Sequence, residues 1–296
     1  LKWYNKIGYG SGDIAGNVVY ALLSSFMMIY LTDTVGLSAG VVGSLMAASK
    51  LFDGVTDIFF GSMIDKTHTR MGKARPWMFG GFFGCAATLV LVFAIPAGIG
   101  TTAQYAWFFI TYTLLNAVFY TANNIAYSAL TALITKNQSE RVQMGSIRFI
   151  FAFGTSMLIQ AGTVKLVQMT GGGAAGWRNA AILYALLGLA INSLSVFSVK
   201  ELPPEELAEA KAPGQPEEAY RLWDAVRLLA ANKYYLIICG VYILTQLYTA
   251  TLNMGIYFMI YILGNESLLG VFSMAINIPM IAGLILTPVL VKRLGG

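Results

Sequence analysis

Charged residues are scarce in this sequence, in which Asp, Glu, Lys and Arg together make up 11% of 296 residues. Hydrophobic residues make up 57%, and the mean hydropathy is +0.66. Because soluble domains carry about 25% charged residues, this composition excludes an ordinary soluble domain. It indicates an integral membrane protein.

Histidine and cysteine are also nearly absent. The single histidine, His68, lies in a basic loop, so the sequence offers neither a histidine-based metal cluster nor a Ser-His-Asp constellation. Cys85 and Cys239 lie inside apolar stretches as small hydrophobic side chains, and no disulfide framework is implied. No cofactor is expected, and an enzyme is the least favoured class of function.

Eight stretches are long and apolar enough to be membrane-spanning helices, each of which needs roughly 20 mostly apolar residues. They cover approximately residues 12–32, 38–64, 77–97, 103–134, 145–169, 178–199, 234–263 and 267–291. Strands of a membrane barrel would instead be short, alternating segments. The sequence therefore predicts an all-α, multi-pass membrane protein.

The formal net charge of +5 comes from basic residues that cluster in alternate loops. Lys66, Arg70, Lys73 and Arg75 follow the second stretch, and Lys136 and Arg141 follow the fourth. By the positive-inside rule, these loops and the N-terminus are cytoplasmic. We expect a monomeric inner-membrane protein, and because the basic residues are explained by membrane topology, we expect no nucleic-acid partner.

The composition changes abruptly at "ELPPEELAEAKAPGQ", which is polar, acidic and rich in proline. We expect residues 1–200 to form a six-helix bundle, 201–233 a cytoplasmic linker, and 234–296 helices 7 and 8 of an incomplete second bundle. Apolar residues at helical spacing after 218 predict an amphipathic helix at the membrane interface, with a solvated linker helix as the alternative. A weak internal repeat suggests that four further helices belong to the protein.

Three charged residues lie inside the second predicted helix. Lys50, Asp53 and Asp57 are spaced i, i+3, i+7 and fall within an arc of about 60° on one face. Lys50 can pair with one carboxylate at a time, so the other must bind a cation, take up a proton or find another basic partner. Arg148 is the expected partner. The alternative is a purely structural ion pair.

Polar residues form stripes at helical spacing on three other predicted helices. The first helix has Asp13, Asn17, Tyr20 and Ser24; the fourth has Asn116, Tyr120, Asn123, Asn124 and Tyr127; the seventh has Tyr242, Gln246, Thr249, Asn253 and Tyr257. Converging hydroxyl, amide and phenol groups can bind a polyhydroxylated solute and stack on its apolar face. Hydrogen bonds between helices are the alternative explanation for any single residue.

Long motifs resemble one transporter family. They are the Asp53-x-x-x-Asp57 pair followed by "GSMIDKTHTRMGKARPW", then "IGYGSGDIAGN", "YLTDTVGLS" and "NNIAYSALTALITKNQSERVQMGSIR". Over essentially its whole length the chain resembles the glycoside-pentoside-hexuronide:cation symporters, the melibiose-permease-like branch of the major facilitator superfamily. The resemblance implies a truncated twelve-helix fold, with a six-helix N-terminal bundle and the first two helices of the C-terminal bundle.

The resemblance also implies roles for single residues. Asp53 and Asp57 match the family's cation-binding carboxylates, Lys50 matches the basic position one turn earlier, and Arg148 matches an arginine near the sugar. Two family acids are replaced here, by Asn17 in the first helix and Asn124 in the fourth. Losing the second of these carboxylates should weaken a sodium site more than a proton site.

Two sets of functional residues are predicted from the stripes and the resemblance together. Substrate binding is assigned to Asn17, Tyr20, Tyr120, Asn124, Tyr127, Arg148, Gln246 and Asn253, and cation coupling to Asp53, Asp57 and Asn124. A cytoplasmic gate is assigned to Asp65, Arg70, Lys73, Arg75 and Arg141, with topology-setting charge as the alternative.

The expected function is cation-coupled symport of a sugar or glycoside by alternating access. Two alternatives remain open at this point. One is an amphipathic-lipid carrier on the same fold, which a largely apolar cavity would favour. The other is a non-transporting receptor or scaffold, which would bind ligand without counterflow.

Overall fold

A computed structural model describes residues 1–203, 206, 222–255, 258–264 and 268–294 of the chain. Within these ranges the regular secondary structure is helical and includes no β-strand. The α-helices are α1 Trp3–Gly10, α2 Gly12–Ile29, α3 Ala39–Lys66, α4 Arg75–Val92, α5 Thr101–Thr113, α6 Thr121–Ile134, α7 Gln138–Met169, α8 Gly173–Ser198, α9 Leu222–Ala231, α10 Lys233–Asn253 and α11 Leu268–Leu294.

Three π-helical segments adjoin these helices: Tyr30–Thr34 after α2, Leu114–Tyr120 between α5 and α6, and Phe258–Ile262 after α10. The segment between α5 and α6 keeps Thr101–Ile134 continuous while changing which side chains share a face. Such π-helical turns often occur at functional sites. Uniform 3.6-residue periodicity does not predict them.

Each of the eight predicted apolar stretches coincides with a helix or a run of helices, which confirms the all-helical class. The predicted amphipathic helix coincides with α9 from residue 222, and its beginning lies outside the described residues. By length and composition, five spans in the described part of the chain could cross a membrane: Trp3–Thr34, Arg75–Val92, Gln138–Met169, Gly173–Ser198 and Lys233–Leu252.

The chain divides into two compact units, Leu1–Leu202 with Gly270–Gly296, and Pro203–Leu269. In the first unit, α2 packs against α7 and α8, α4 packs against α6 and α8, and α3 packs against α5 and α6. In the second unit, Asn232 caps α10 by accepting hydrogen bonds from the backbone N–H groups of Tyr234 and Tyr235. This division differs in its bounds from the predicted domains, which remain predictions.

Part of the polar stripe on α6 holds helices together. Asn123 donates to the Met78 carbonyl at 2.6 Å and to Asn192 Oδ1 at 3.2 Å, and Asn192 donates to the same carbonyl at 3.1 Å. Both amides are buried. Hydrogen bonding between helices therefore accounts for the presence of Asn123 in this stripe.

Candidate functional site

A cavity of about 400 Å³ lies between α2 and α7 in the first unit. One wall is polar and comes from α2, and the other comes from α7. The lining residues are Asp13, Asn17, Tyr20, Gly145, Arg148, Phe149, Ala152, Phe153 and Ser156. This volume is in the range of small-molecule sites, and a polar wall facing aromatic rings suits a polyhydroxylated ligand with an apolar face.

The two charged groups of the cavity form an ion pair. Arg148 Nε donates to Asp13 Oδ2 at 2.6 Å, and the two side chains are only 20% and 17% exposed. Arg148 Nη1 also donates to the Tyr9 hydroxyl at 3.3 Å. Because the pair is short and largely shielded from water, it is a strong charge-assisted contact.

Two tyrosines that do not line the cavity, Tyr9 and Tyr127, hold this ion pair in place. The Arg148 guanidinium carbon lies 4.0 Å from the centre of the Tyr127 ring, and the Tyr127 hydroxyl oxygen lies 3.2 Å from Asp13 Oδ2. Tyr9 donates to the Tyr127 carbonyl at 3.0 Å, and Tyr127 donates back to the Tyr9 carbonyl at 2.8 Å. The two buried rings lie 4.9 Å apart and are tilted by 39° to each other, and they fix the position of the guanidinium.

The partner of Arg148 in the structure differs from the predicted one. In this conformation its ion-pair partner is Asp13, and not a carboxylate of α3, so its pairing with Asp53 or Asp57 stays a prediction. The reason is local: Asp13 and Arg148 lie on helices that pack directly against each other, α2 and α7.

Three of the predicted substrate-binding residues line the cavity: Asn17, Tyr20 and Arg148. Three others of the first unit do not. Tyr127 is buried behind the ion pair, Tyr120 is packed against the apolar core, and Asn124 is exposed away from the lining. Tyr127 therefore positions the charged pair and does not contact the cavity.

The remaining two predicted substrate residues belong to the second unit. Gln246 donates to the Tyr242 hydroxyl at 3.2 Å, one helical turn away. The side chain of Asn253 lies outside the described residues. Their roles stay predictions.

The charged face of α3 contains the predicted short-range ion pair. Lys50 Nζ donates to Asp53 Oδ2 at 2.9 Å. Asn116 Nδ2 lies 3.2 Å and 3.1 Å from the two oxygens of the same carboxylate. Asp53 therefore has one charged and one neutral partner, from two different helical segments.

Asp57 differs from Asp53 in its surroundings. It is exposed on α3, and no basic residue in the described ranges forms an ion pair with it. A carboxylate that keeps its oxygen lone pairs available, one turn from a second carboxylate, can bind a cation or a proton.

The π-helical segment Leu114–Tyr120 connects the two groups of residues. Asn116, near its beginning, contacts Asp53 on α3. At its end, the Tyr120 hydroxyl lies 4.0 Å from where a Cβ atom on Gly16 of α2 would be. The segment thus contacts the carboxylate helix and ends close to α2, the helix that supplies the polar wall of the cavity.

The basic loop before α4 contains a contact that the sequence did not predict. The carboxylate of Glu201 accepts hydrogen bonds from the backbone N–H groups of Lys73 at 2.7 Å, Ala74 at 2.9 Å and Arg75 at 3.0 Å. These groups are at the N-terminus of α4, where a negative charge is favoured. Gly72 allows the approach, because it has a φ of +108° and a Cβ atom there would collide with Glu201.

Two of the predicted gate residues bind backbone carbonyls. Arg75 Nε donates to the Val196 carbonyl at 2.8 Å, and Arg141 Nε donates to the Thr135 carbonyl at 3.0 Å. Asp65 and Arg70 are exposed. In the described part of the chain, none of the five predicted gate residues forms an ion pair. The expected ion pairs of a gate are thus not formed in this conformation.

Replacing Glu201 by Ala should lower the stability of the protein in detergent by about 1–3 kcal/mol, because three N–H groups at a helix end lose their acceptor. Thermal or denaturant unfolding of Glu201→Ala measures the effect. Glu206 is exposed and provides a matched control. Equal losses for Glu201→Ala and Glu206→Ala would contradict the assignment.

Replacing Gly12 by Ala should disturb the charged pair from a distance. A Cβ atom at Gly12 would lie 2.8 Å from both the Tyr127 ring and Ser195 Oγ. Overpacking of this kind costs about 1–3 kcal/mol, and here it displaces the ring that supports Arg148. The control is Gly16→Ala, whose nearest neighbour is 4.0 Å away. Thermal unfolding that ranks the control as the less stable variant would refute this.

Several of these residues, or their partners, have no signal in the sequence. Tyr9 precedes the first predicted apolar stretch, 12–32, so the sequence pattern does not select it. Asp13 and Asn116 belong to the predicted polar stripes, but the stripes do not indicate their partners. Glu201 falls at the start of the predicted acidic linker. The pattern "D-x-x-x-N" at Asp13 gives no signal for a partner on α7, because such pairing depends on helix packing.

The sequence and the helical fold are those of a membrane transport protein. The chain belongs to the MFS/sugar transport protein family, which it matches over residues 8–296. This confirms the predicted resemblance to symporters of the major facilitator superfamily.

Individual relatives agree with this assignment. The chain is 29% identical to the uncharacterized symporter YnaJ of Bacillus subtilis and 28% identical to the isoprimeverose transporter of Lactiplantibacillus pentosus, in each case over 100% of its length. It covers 63% and 60% of these relatives, respectively. It is also 34% identical to the inner membrane symporter YicJ of Escherichia coli, over 58% of this chain and 37% of that one.

Proposed function

We propose that the protein is a secondary active transporter that moves a sugar or glycoside together with a proton or a sodium ion across the inner membrane. The observation that carries this proposal is the cavity between α2 and α7, with one polar and one partly aromatic wall. Arg148 has five N–H donors, of which those on Nε and Nη1 contact Asp13 and Tyr9. Sugar hydroxyls can bind the remaining groups of the pair, while Phe149 or Phe153 packs on the apolar face of the ring.

The proposed cation site is on α3. Asp57 supplies a carboxylate without an ion-pair partner in the described residues, and Asp53 lies one turn away, partly neutralised by Lys50. The Asn116 amide could turn its oxygen toward a bound cation, because an amide presents either a donor or an acceptor. Asn124 is exposed and makes no described contact with either carboxylate, so its predicted place in this site has no support from the geometry.

Coupling follows from the position of the π-helical segment. Cation binding changes the charge next to Asn116, and the same segment ends at Tyr120, near α2. If the cation favours a conformation that binds sugar, sugar must favour cation binding by the same free energy. The substrate is then driven uphill by the cation gradient.

Alternating access requires the basic loops to rearrange. We propose that these loops and the N-terminus are cytoplasmic, in agreement with the positive-inside rule. The Glu201 contact with the N-terminus of α4 would then close the cytoplasmic end of the first unit. Arg75 and Arg141 act there through backbone carbonyls in this conformation.

Uptake into membrane vesicles that contain the full-length protein tests the proposal. Labelled glycosides are offered with an imposed sodium gradient, an imposed proton gradient, or neither. Gradient-dependent accumulation of a glycoside supports symport. Ligand protection against unfolding without counterflow would identify a receptor instead, and uptake of amphipathic lipids alone would identify a lipid carrier.

A further inference from the structure

We infer that Asp13 makes the cavity selective for uncharged glycosides over acidic sugars. This rests on the proposed function, because it assumes that the sugar binds between α2 and α7. It goes further by naming the chemical class of the substrate and the residue that determines it.

The charges that line the cavity cancel. Arg148 and Asp13 are the lining residues with a formal charge, and they are joined by the 2.6 Å contact. Asn17, Tyr20 and Ser156 contribute neutral polar groups, and the other lining residues are apolar or glycine. The ligand therefore meets local dipoles and no net positive charge.

The arginine is also poorly placed to bind an anion. A carboxylate is bound best by two parallel N–H groups on one edge of the guanidinium. Nε already donates to Asp13, and Nη1 already donates to the Tyr9 hydroxyl. Each of two edges of the guanidinium therefore has one N–H group that is already hydrogen-bonded. Stacking on Tyr127 keeps the guanidinium from turning toward a new partner.

An acidic sugar would in addition approach the Asp13 carboxylate. Two like charges in a site shielded from water repel each other, and such contacts suppress binding of the wrong ligand. A hydroxyl group avoids this repulsion because it can donate to Asp13 and accept from Arg148. The same ion pair therefore favours neutral polyols and disfavours anions, including anionic lipid head groups.

Matched ligands test the inference with little change in shape. Methyl β-glucoside and methyl β-glucuronide differ by a CH2OH group in place of a carboxylate, as do the corresponding galactoside and galacturonide. Binding to the full-length protein in detergent is measured by calorimetry, and transport by counterflow. Wild-type protein should bind the neutral member of a pair about 10-fold or more tightly than the acidic member.

Asp13→Asn should shift that ratio by about 10-fold or more toward the acidic sugar, because Nε loses its partner and the guanidinium edge formed by Nε and Nη2 can then bind a carboxylate without turning. Asp33→Asn removes an exposed carboxylate elsewhere and should leave the ratio unchanged. If Asp13→Asn does not fold, the ratio for wild-type protein still decides the inference.

A wild-type ratio near one, or one that favours the acidic sugar, would overturn the inference and leave the proposed function intact. So would an unchanged ratio in folded Asp13→Asn. If wild-type protein binds and transports no glycoside of a broad panel, the proposed function fails, and the inference fails with it.

Discussion

Asp57→Asn should abolish uphill accumulation of substrate in energised vesicles and leave counterflow of the same substrate measurable. The substitution removes a carboxylate that has no ion-pair partner among the described residues, so it takes away a cation ligand and breaks no ion pair. Accumulation should fall to the level of equilibration, and the unfolding temperature in detergent should stay close to that of wild-type protein.

Asp53→Asn should abolish accumulation as well, but for this variant we also expect a loss of stability. Its carboxylate interacts with Lys50 at 2.9 Å and with Asn116 at 3.1 Å, and hydrogen bonds to charged groups contribute about 1.5–3 kcal/mol. Because Lys50 is largely exposed, the observed loss should be at the lower end of this range.

The control for both variants is Asp33→Asn, which changes an exposed carboxylate in the π-helical segment after α2 and should transport normally. Undiminished gradient-driven accumulation in both Asp53→Asn and Asp57→Asn would exclude α3 as the coupling site. Loss of counterflow in Asp57→Asn would instead assign that residue to substrate binding.

Arg148→Gln should be the most destabilising single change in the cavity. It leaves the largely buried Asp13 carboxylate without its cation, and breaking a buried pair in this way costs about 3–5 kcal/mol. It also removes the guanidinium that stacks on Tyr127, so glycoside binding should fall below detection. Unfolding in detergent and calorimetric titration measure the two effects.

The double variant Asp13→Asn, Arg148→Gln separates the charge from the packing. Two neutral amides leave no unpaired charge, so this variant should be more stable than Arg148→Gln alone, although it lacks the ion pair. Arg178 is exposed on α8 and serves as the control through Arg178→Gln. The two residues are not coupled if adding Asp13→Asn to the Arg148→Gln variant costs as much stability as Asp13→Asn costs in wild-type protein.

The sequence predicted the helices well because their signal is local. Runs of about 20 apolar residues predict helices in a bilayer regardless of what packs against them, and the eight stretches are helical in the described residues. The Lys50–Asp53 pair was also predictable, since residues three apart on a helix are neighbours.

The partners of the site residues were harder to predict because they depend on which helices pack together. The spacing of Asp13 on α2 is equally compatible with a partner on several helices, and the structure places Arg148 of α7 beside it. Tyr127 fitted the polar stripe of a cavity wall, but the close packing of Gly12 against its ring places it behind the wall. The π-helical segment further altered the face on which Tyr120 lies.

Ion movement in vesicles without any imposed gradient tests most directly whether a glycoside and a cation move together. Adding a neutral glycoside outside should drive protons or sodium ions into vesicles with wild-type protein, and no ions into vesicles with Asp57→Asn. Glycoside entry through wild-type protein without movement of either ion would contradict the account.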